Sequence, residues 1–157
     1  MKSIIISPYS RALRNGKVNS KNLPKDYWLE IITKLKEHDI LITQIGRRGE
    51  EKIVGVDEYK FDLPLKDLGI LVNDCDSWIS VDNFWHHFAW LHNKPGVVVF
   101  SQSDPVIFGH TENINLLKDR KYLRKDQFGI WESVEPNDEA FVSPQLIVDA
   151  TLRRLQI

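Results

Sequence analysis

Cysteine, methionine and long apolar runs are scarce in this chain. Among 157 residues there is one cysteine, Cys75, and one methionine, Met1. A lone thiol excludes an intrachain disulfide; it suits a reducing cytoplasm and a space-filling role. No apolar run approaches the ~20 residues of a membrane span. Met1 and Lys2 lead into the short run Ile4 to Ile6 and then a polar loop, which does not resemble a signal peptide. Neither sign of charge is in excess: 21 Lys and Arg balance 22 Asp and Glu, a net charge of -1. A nucleic-acid binder usually carries a basic surplus, so this balance argues against one. There is no Gly-x-Ser-x-Gly elbow, Walker loop, zinc-ligand spacing, internal repeat, low-complexity tract or linker. The length then fits one domain, residues 1–157, with a core of its own.

What is present is an alternation of β-branched runs and helical spacings. Ser3 to Ser7 reads as a buried parallel strand, and a long polar loop over 8–23 follows it. Pro24 opens a helix at its first position, with Trp28, Ile31, Ile32 and Leu35 on one face. Ile40 to Ile45 is a second strand ending at Gly46. Residues 50–62 suggest a short helix and then a third strand near Tyr59 to Phe61. A helix from Pro64 to about Cys75, a strand over Ser77 to Val81, a helix capped by Asn83 and a strand over Gly96 to Phe100 complete the alternation. Beyond Pro105 the pattern weakens until Ser143-Pro144 starts a closing helix. The expectation is an α/β, Rossmann-like three-layer domain with a mostly parallel doubly wound sheet in the order 3-2-1-4-5.

That order puts a crevice between the first and fourth strands, where open α/β sheets bind ligands. The 8–23 loop and the Asp82 turn would face each other across it. Arg11, Arg14, Lys17 and Lys21 are cations suited to phosphate, although a solvated loop would look the same. Asp82 suits a hydroxyl, a metal or a helix cap. His86 and His87 lie ~100° apart on a helix, a poor chelating pair of which only one can face the crevice, so no metal is expected. Ser101, Gln102, Ser103 and Asp104 form a polar turn able to bind a ligand or to satisfy itself. The Lys118 to Lys125 stretch is basic with interleaved aromatics, diluted by Asp119 and Asp126, and reads as a solvated face.

These residues resemble a known pattern, the donor-binding C-terminal half of heptosyltransferase-type enzymes (glycosyltransferase family 9, GT-B architecture). That family runs a strand into Asp, Ser or Thr, Gly, Pro, any residue, His. A helix, a Lys-Pro turn and a strand ending Phe-Gly-x-Thr-x-Pro follow. Here Asp82, Asn83 and His87 match the first motif; Lys94-Pro95, Phe100, Ser103 and Pro105 match the rest. The opening SIIISPYS resembles the first strand and phosphate loop, and Gly46 with Glu50 the turn after the second strand. The motifs cover residues 3–109, leaving 110–157 as an irregular extension with the closing helix. Phe84, Trp85 and Ser101 stand where the family has glycine, proline and glycine, and a bulky Phe84 should crowd a diphosphate at the helix start.

The resemblance implies a domain that binds a nucleotide, sugar nucleotide or similar phosphorylated ligand through Ser7, Ser10, Arg11, Arg14, Lys17, Gly46, Asp82, Asn83, His87, Ser101 and Ser103, without a further cofactor. Family 9 enzymes need a second Rossmann-like domain for acceptor and catalytic base, so this chain alone should not complete transfer. Two alternatives stand beside that reading: a glycosyltransferase completed by a homo-oligomer or partner chain, and a protein-interaction or assembly module with Phe84, Trp85 and Trp90 on an apolar patch.

Overall fold

The computed structural model describes residues 1–129 and 134–157. Six strands form one fully parallel sheet: β1 (Ser3–Ser7), β2 (Leu41–Gly46), β3 (Glu58–Phe61), β4 (Ser77–Val81), β5 (Val97–Val99) and β6 (Ile114–Leu116), in the order β3-β2-β1-β4-β5-β6. The expected order is present and is extended by β6, which the weak pattern beyond Pro105 did not single out. Helices α1 (Lys25–Lys36), α2 (Leu65–Asp74), α3 (Phe84–Leu91), α4 (Pro105–Phe108) and α5 (Pro144–Leu155) complete the fold, with short 3-10 turns at Arg120–Tyr122 and Asp138–Ala140. The short helix expected within 50–62 is absent. That stretch is an irregular connection carrying Gly55 at φ +95, a left-handed position that interrupts a helix.

The period-two alternation of the strands sorts their side chains into two cores. Ile4, Ile6, Ile79, Val81, Val97 and Val99 face α1 and α5. Ile5, Trp78 and Val98 face the opposite layer, with Leu68 and Val72 of α2 and Trp85 and Ala89 of α3. Strands buried on both faces need apolar residues at every position, which is why β1 and β5 read as continuous Ile and Val runs. Pro24 sits one residue outside α1, as its N-cap. Asn83, Asp104 and Ser143 cap α3, α4 and α5 with their side chains. Cys75 is buried, and burial pushes its thiol up to about 11, so it is an inert filler. No helix is long and apolar enough to cross a membrane among the described residues.

Candidate functional site

β1 and β4 lie side by side, with Ser7 in register with Ser80. From β1 the sheet grows through β2 and β3; from β4 it grows the other way through β5 and β6. The loops leaving β1 and β4 therefore meet at the switch point, at the carboxyl edge of the sheet. They are bonded together. Ser10 donates its hydroxyl to the Asp82 carbonyl at 2.7 Å. The Asn83 amide nitrogen reaches Ser7 Oγ at 3.0 Å and the carbonyls of Ser7 and Tyr9, both at 3.2 Å. Its oxygen accepts from the Trp85 amide at 3.0 Å, so one side chain caps α3 and clamps the β1 loop.

The long 8–23 loop is ordered by its asparagines. Asn22 accepts from the Ser10 amide at 2.7 Å, Asn19 donates to the Arg11 carbonyl at 2.9 Å, and Asn19 accepts from the Lys21 amide at 3.0 Å. Lys21 is thereby carried to Asp82, where its ammonium lies 3.2 Å from one carboxylate oxygen. His86 Nε2 lies 3.0 Å from the other. Asp82 is buried, and burial alone would raise its pKa. The hydrogen bond from His86, the charge of Lys21 and the nearby Ser103 outweigh that effect and hold it down at about 2. The result is an acceptor ionised at neutral pH beside a cation, suited to sugar or ribose hydroxyls next to a phosphate.

The structure gathers Ser7, Ser10, Lys21, Asp82, Asn83 and Ser103 at this edge. Ser103 Oγ is buried beside Asp82, whose carboxylate it helps to hold ionised. Ser101 is buried on the same turn. Arg11 and Arg14 are exposed on the loop, and Lys17 pairs with Glu135 at 3.3 Å on the surface. Gly46 ends β2, which lies on the other side of β1 from β4 and its Asp82 turn, and a Cβ there would sit 2.6 Å from Glu50 Oε1. Beyond β2 and β3 there is a separate surface cavity of about 540 Å³ lined by Arg48, Gly49, Glu50, Lys52, Phe61 and Asp62. Asp104 caps α4 and takes a two-pronged bond from Arg120, at 3.1 and 2.6 Å, so its carboxylate serves the fold. Phe84 is 53% exposed and packs on Trp85 and Phe88, outside the set around Asp82.

Of the two adjacent histidines, His86 is buried and faces Asp82. His87 points elsewhere: its Nδ1 lies 2.8 Å from Nε2 of His110. Burial and the neighbouring His86 and His110 charges lower His87 to about 4. His110 lies 23 positions from His87, just after α4, and no local spacing connects it to α3.

No family model and no curated protein sequence matches this chain. Solved structures do. The ADP-heptose LPS heptosyltransferase II of E. coli superposes with a TM-score of 0.71 at 14% identity, over 99% of this chain and 46% of that one. A family 9 glycosyltransferase from Veillonella parvula gives 0.73 at 15% identity, over 99% and 46%. The dodecameric iron-containing heptosyltransferase TibC of enterotoxigenic E. coli, in complex with ADP-D-beta-D-heptose, gives 0.66 at 17% identity, over 99% and 45%. At such identities the likeness is one of fold: the chain has the Rossmann-like fold found in heptosyltransferases. It spans less than half the length of these structures, and the likeness continues past residue 109, where the sequence motifs end.

Proposed function

We propose that this chain is a glycosyltransferase-like domain that binds a nucleotide or sugar nucleotide in the crevice between the 8–23 loop and the Asp82 turn, and that it does not complete transfer alone. One observation carries the reading. At the switch point of a fold shared with an ADP-heptose-bound heptosyltransferase, a buried ionised Asp82 stands beside Lys21 and the buried Ser103 hydroxyl. In this reading Asp82 and Ser103 take hydroxyls, and Lys21, with Arg11 and Arg14 on the same loop, takes the phosphates. Ser7, Ser10 and Asn83 hold the two loops in place. The ligand-binding unit is the whole chain, built on the 3–109 core and completed by the segment after it, and we place it in a reducing cytoplasm.

Calorimetry of the full chain against a panel of nucleoside diphosphates and sugar nucleotides tests this. Binding of at least one is expected, weakened about tenfold in Arg11→Ala/Arg14→Ala, whose side chains are exposed and leave the fold alone. Absence of binding at millimolar ligand overturns it. A second reading follows from length: the structural neighbours are more than twice as long, so a partner chain or second copy would supply the acceptor side and a general base. Transfer by an oligomer, lost on dissociation, is its signature.

A further inference from the structure

Beyond the bond from His86 to Asp82, the histidine cluster has no part in the nucleotide reading, and it carries a separate inference. One ring nitrogen from each of His86, His87 and His110 lies within 4.8 Å of those of the other two. The geometry points to a three-histidine site for a divalent transition metal such as Zn²⁺, built from two neighbours on α3 and one residue of the 109–113 turn.

Several features fit a built site. His86 is fully buried, and its Nε2 is engaged with the Asp82 carboxylate at 3.0 Å. Its other nitrogen, Nδ1, is buried with no hydrogen-bond partner among the described residues. A histidine whose far nitrogen is fixed by a carboxylate is the usual arrangement behind a metal, because it sets the tautomer and frees the other lone pair. His110 is fixed through its backbone: its carbonyl accepts from the Asn115 side chain at 2.9 Å and from the Asn113 amide at 3.1 Å. Its ring is held flat on Trp90, with centroids 4.5 Å apart and planes 10° from parallel. His87, exposed and able to turn, already directs Nδ1 at His110 Nε2.

Tetrahedral coordination at ~2.0–2.1 Å places ligand nitrogens about 3.3 Å apart. The 2.8 Å pair must open slightly and the wider separations close; rotation of His87 adjusts its own two distances, and closing of the His86–His110 pair would come from a shift of the 109–113 turn. The proton shared between His87 Nδ1 and His110 Nε2 would move, through solvent, to the far nitrogen of the ring that carries it. Three imidazoles suit Zn²⁺, Ni²⁺ or Cu²⁺, and leave a fourth position for water or an incoming ligand. The rule that adjacent helical residues chelate poorly holds for an isolated pair; here a third ring from another segment closes the set.

The test uses the full chain, stripped with chelator and free of nucleotide. Titration with Zn²⁺, and with Co²⁺ read by its visible absorption, is expected to give one ion per chain. His87→Gln and His110→Gln should each weaken it at least tenfold, since both lie outside the core and leave the fold intact. Zn²⁺ should also raise the melting temperature of the wild type and not of His110→Gln. No stoichiometric binding at about 100 μM Zn²⁺, or binding unchanged in the double variant, overturns the proposal and leaves His87 and His110 as a hydrogen-bonded pair.

Discussion

A Cβ added to Gly96 would sit 2.2 Å from Cδ2 of Trp78 and 2.3 Å from Cε2, well inside contact distance. The Trp78 indole cannot give way: it is fully buried and donates through Nε1 to the Lys94 carbonyl at 2.8 Å. Gly96 is thus required for the close approach of the β5 entry to a core tryptophan, at a non-strained φ. Gly96→Ala should cost about 2–3 kcal/mol, by overpacking, measured as a fall in urea midpoint at unchanged slope. Trp78→Phe in the same chain should recover part of the loss, because the two sites share one contact. Additive losses in the double variant would refute the steric account. The sequence offered Gly96 only as the start of a strand after the Lys94-Pro95 turn, since the ring that forbids a larger residue lies 18 positions away. The same limit governs the site. Asp82 and Asn83 could be picked out because they follow an obvious strand. His110 could not, because only the fold brings it to α3.

At the scale of elements, the legible parts were those with local periodicity. Ser3–Ser7 and Ser77–Val81 have the limits that the apolar runs suggested, and the helices differ at their ends by a residue or two. β6 is three half-buried residues, Ile114–Leu116, too short to carry a period of its own. It exists because the amide of Ile114 bonds the Gly96 carbonyl at 2.9 Å and the Phe100 amide bonds the Leu116 carbonyl at 2.8 Å. The segment after β6 is tied down chiefly by side chains. Arg120 grips Asp104, Gln127 accepts from the Asp104 amide at 2.8 Å, and the Arg124 amide bonds the Gln102 carbonyl at 3.0 Å. The basic 118–125 stretch is therefore a strap over the 101–104 turn. Asp104→Ala removes both the α4 cap and the Arg120 fork and should cost about 1–2 kcal/mol. Protease cleavage should appear first within 118–129. Asp104→Asn keeps a capping oxygen and loses the charge, so it should recover the cap and not the strap. Equal protection of 118–129 in all three proteins would refute the strap.

For the whole molecule, acid should act in two stages, both traceable to the switch-point edge. His87 titrates near 4 in the folded chain, against an ordinary value of 6.5; burial comes first among the causes, then the charges of His86 and His110. His110 is lowered as well, chiefly by desolvation. A histidine whose folded pKa lies below its unfolded one stabilises above the unfolded value, and that stability is lost as pH falls through the folded value. The first stage therefore runs from about pH 6.5 to 4. His87 is half exposed, so solvent screening reduces its share to about 1 kcal/mol. Asp82 is the carboxylate counterpart: lowered from 3.8 to about 2, it loses its stabilising charge between those values. Being buried, it supplies about 2 kcal/mol. Urea unfolding in chelator should show a level midpoint above pH 7, a modest decline from 6.5 to 4 and a steeper one below. His87→Gln/His110→Gln should flatten the first decline and leave the second. Asp82→Asn should be less stable at pH 7 and show a shallower second decline, the remainder coming from Asp57 and Asp104, whose pKa values are also lowered by their Lys36 and Arg120 partners. A wild-type midpoint that stays level from pH 7 to 4.5 would remove the histidine pair from the account, and a decline below pH 4 as steep in Asp82→Asn as in the wild type would remove Asp82.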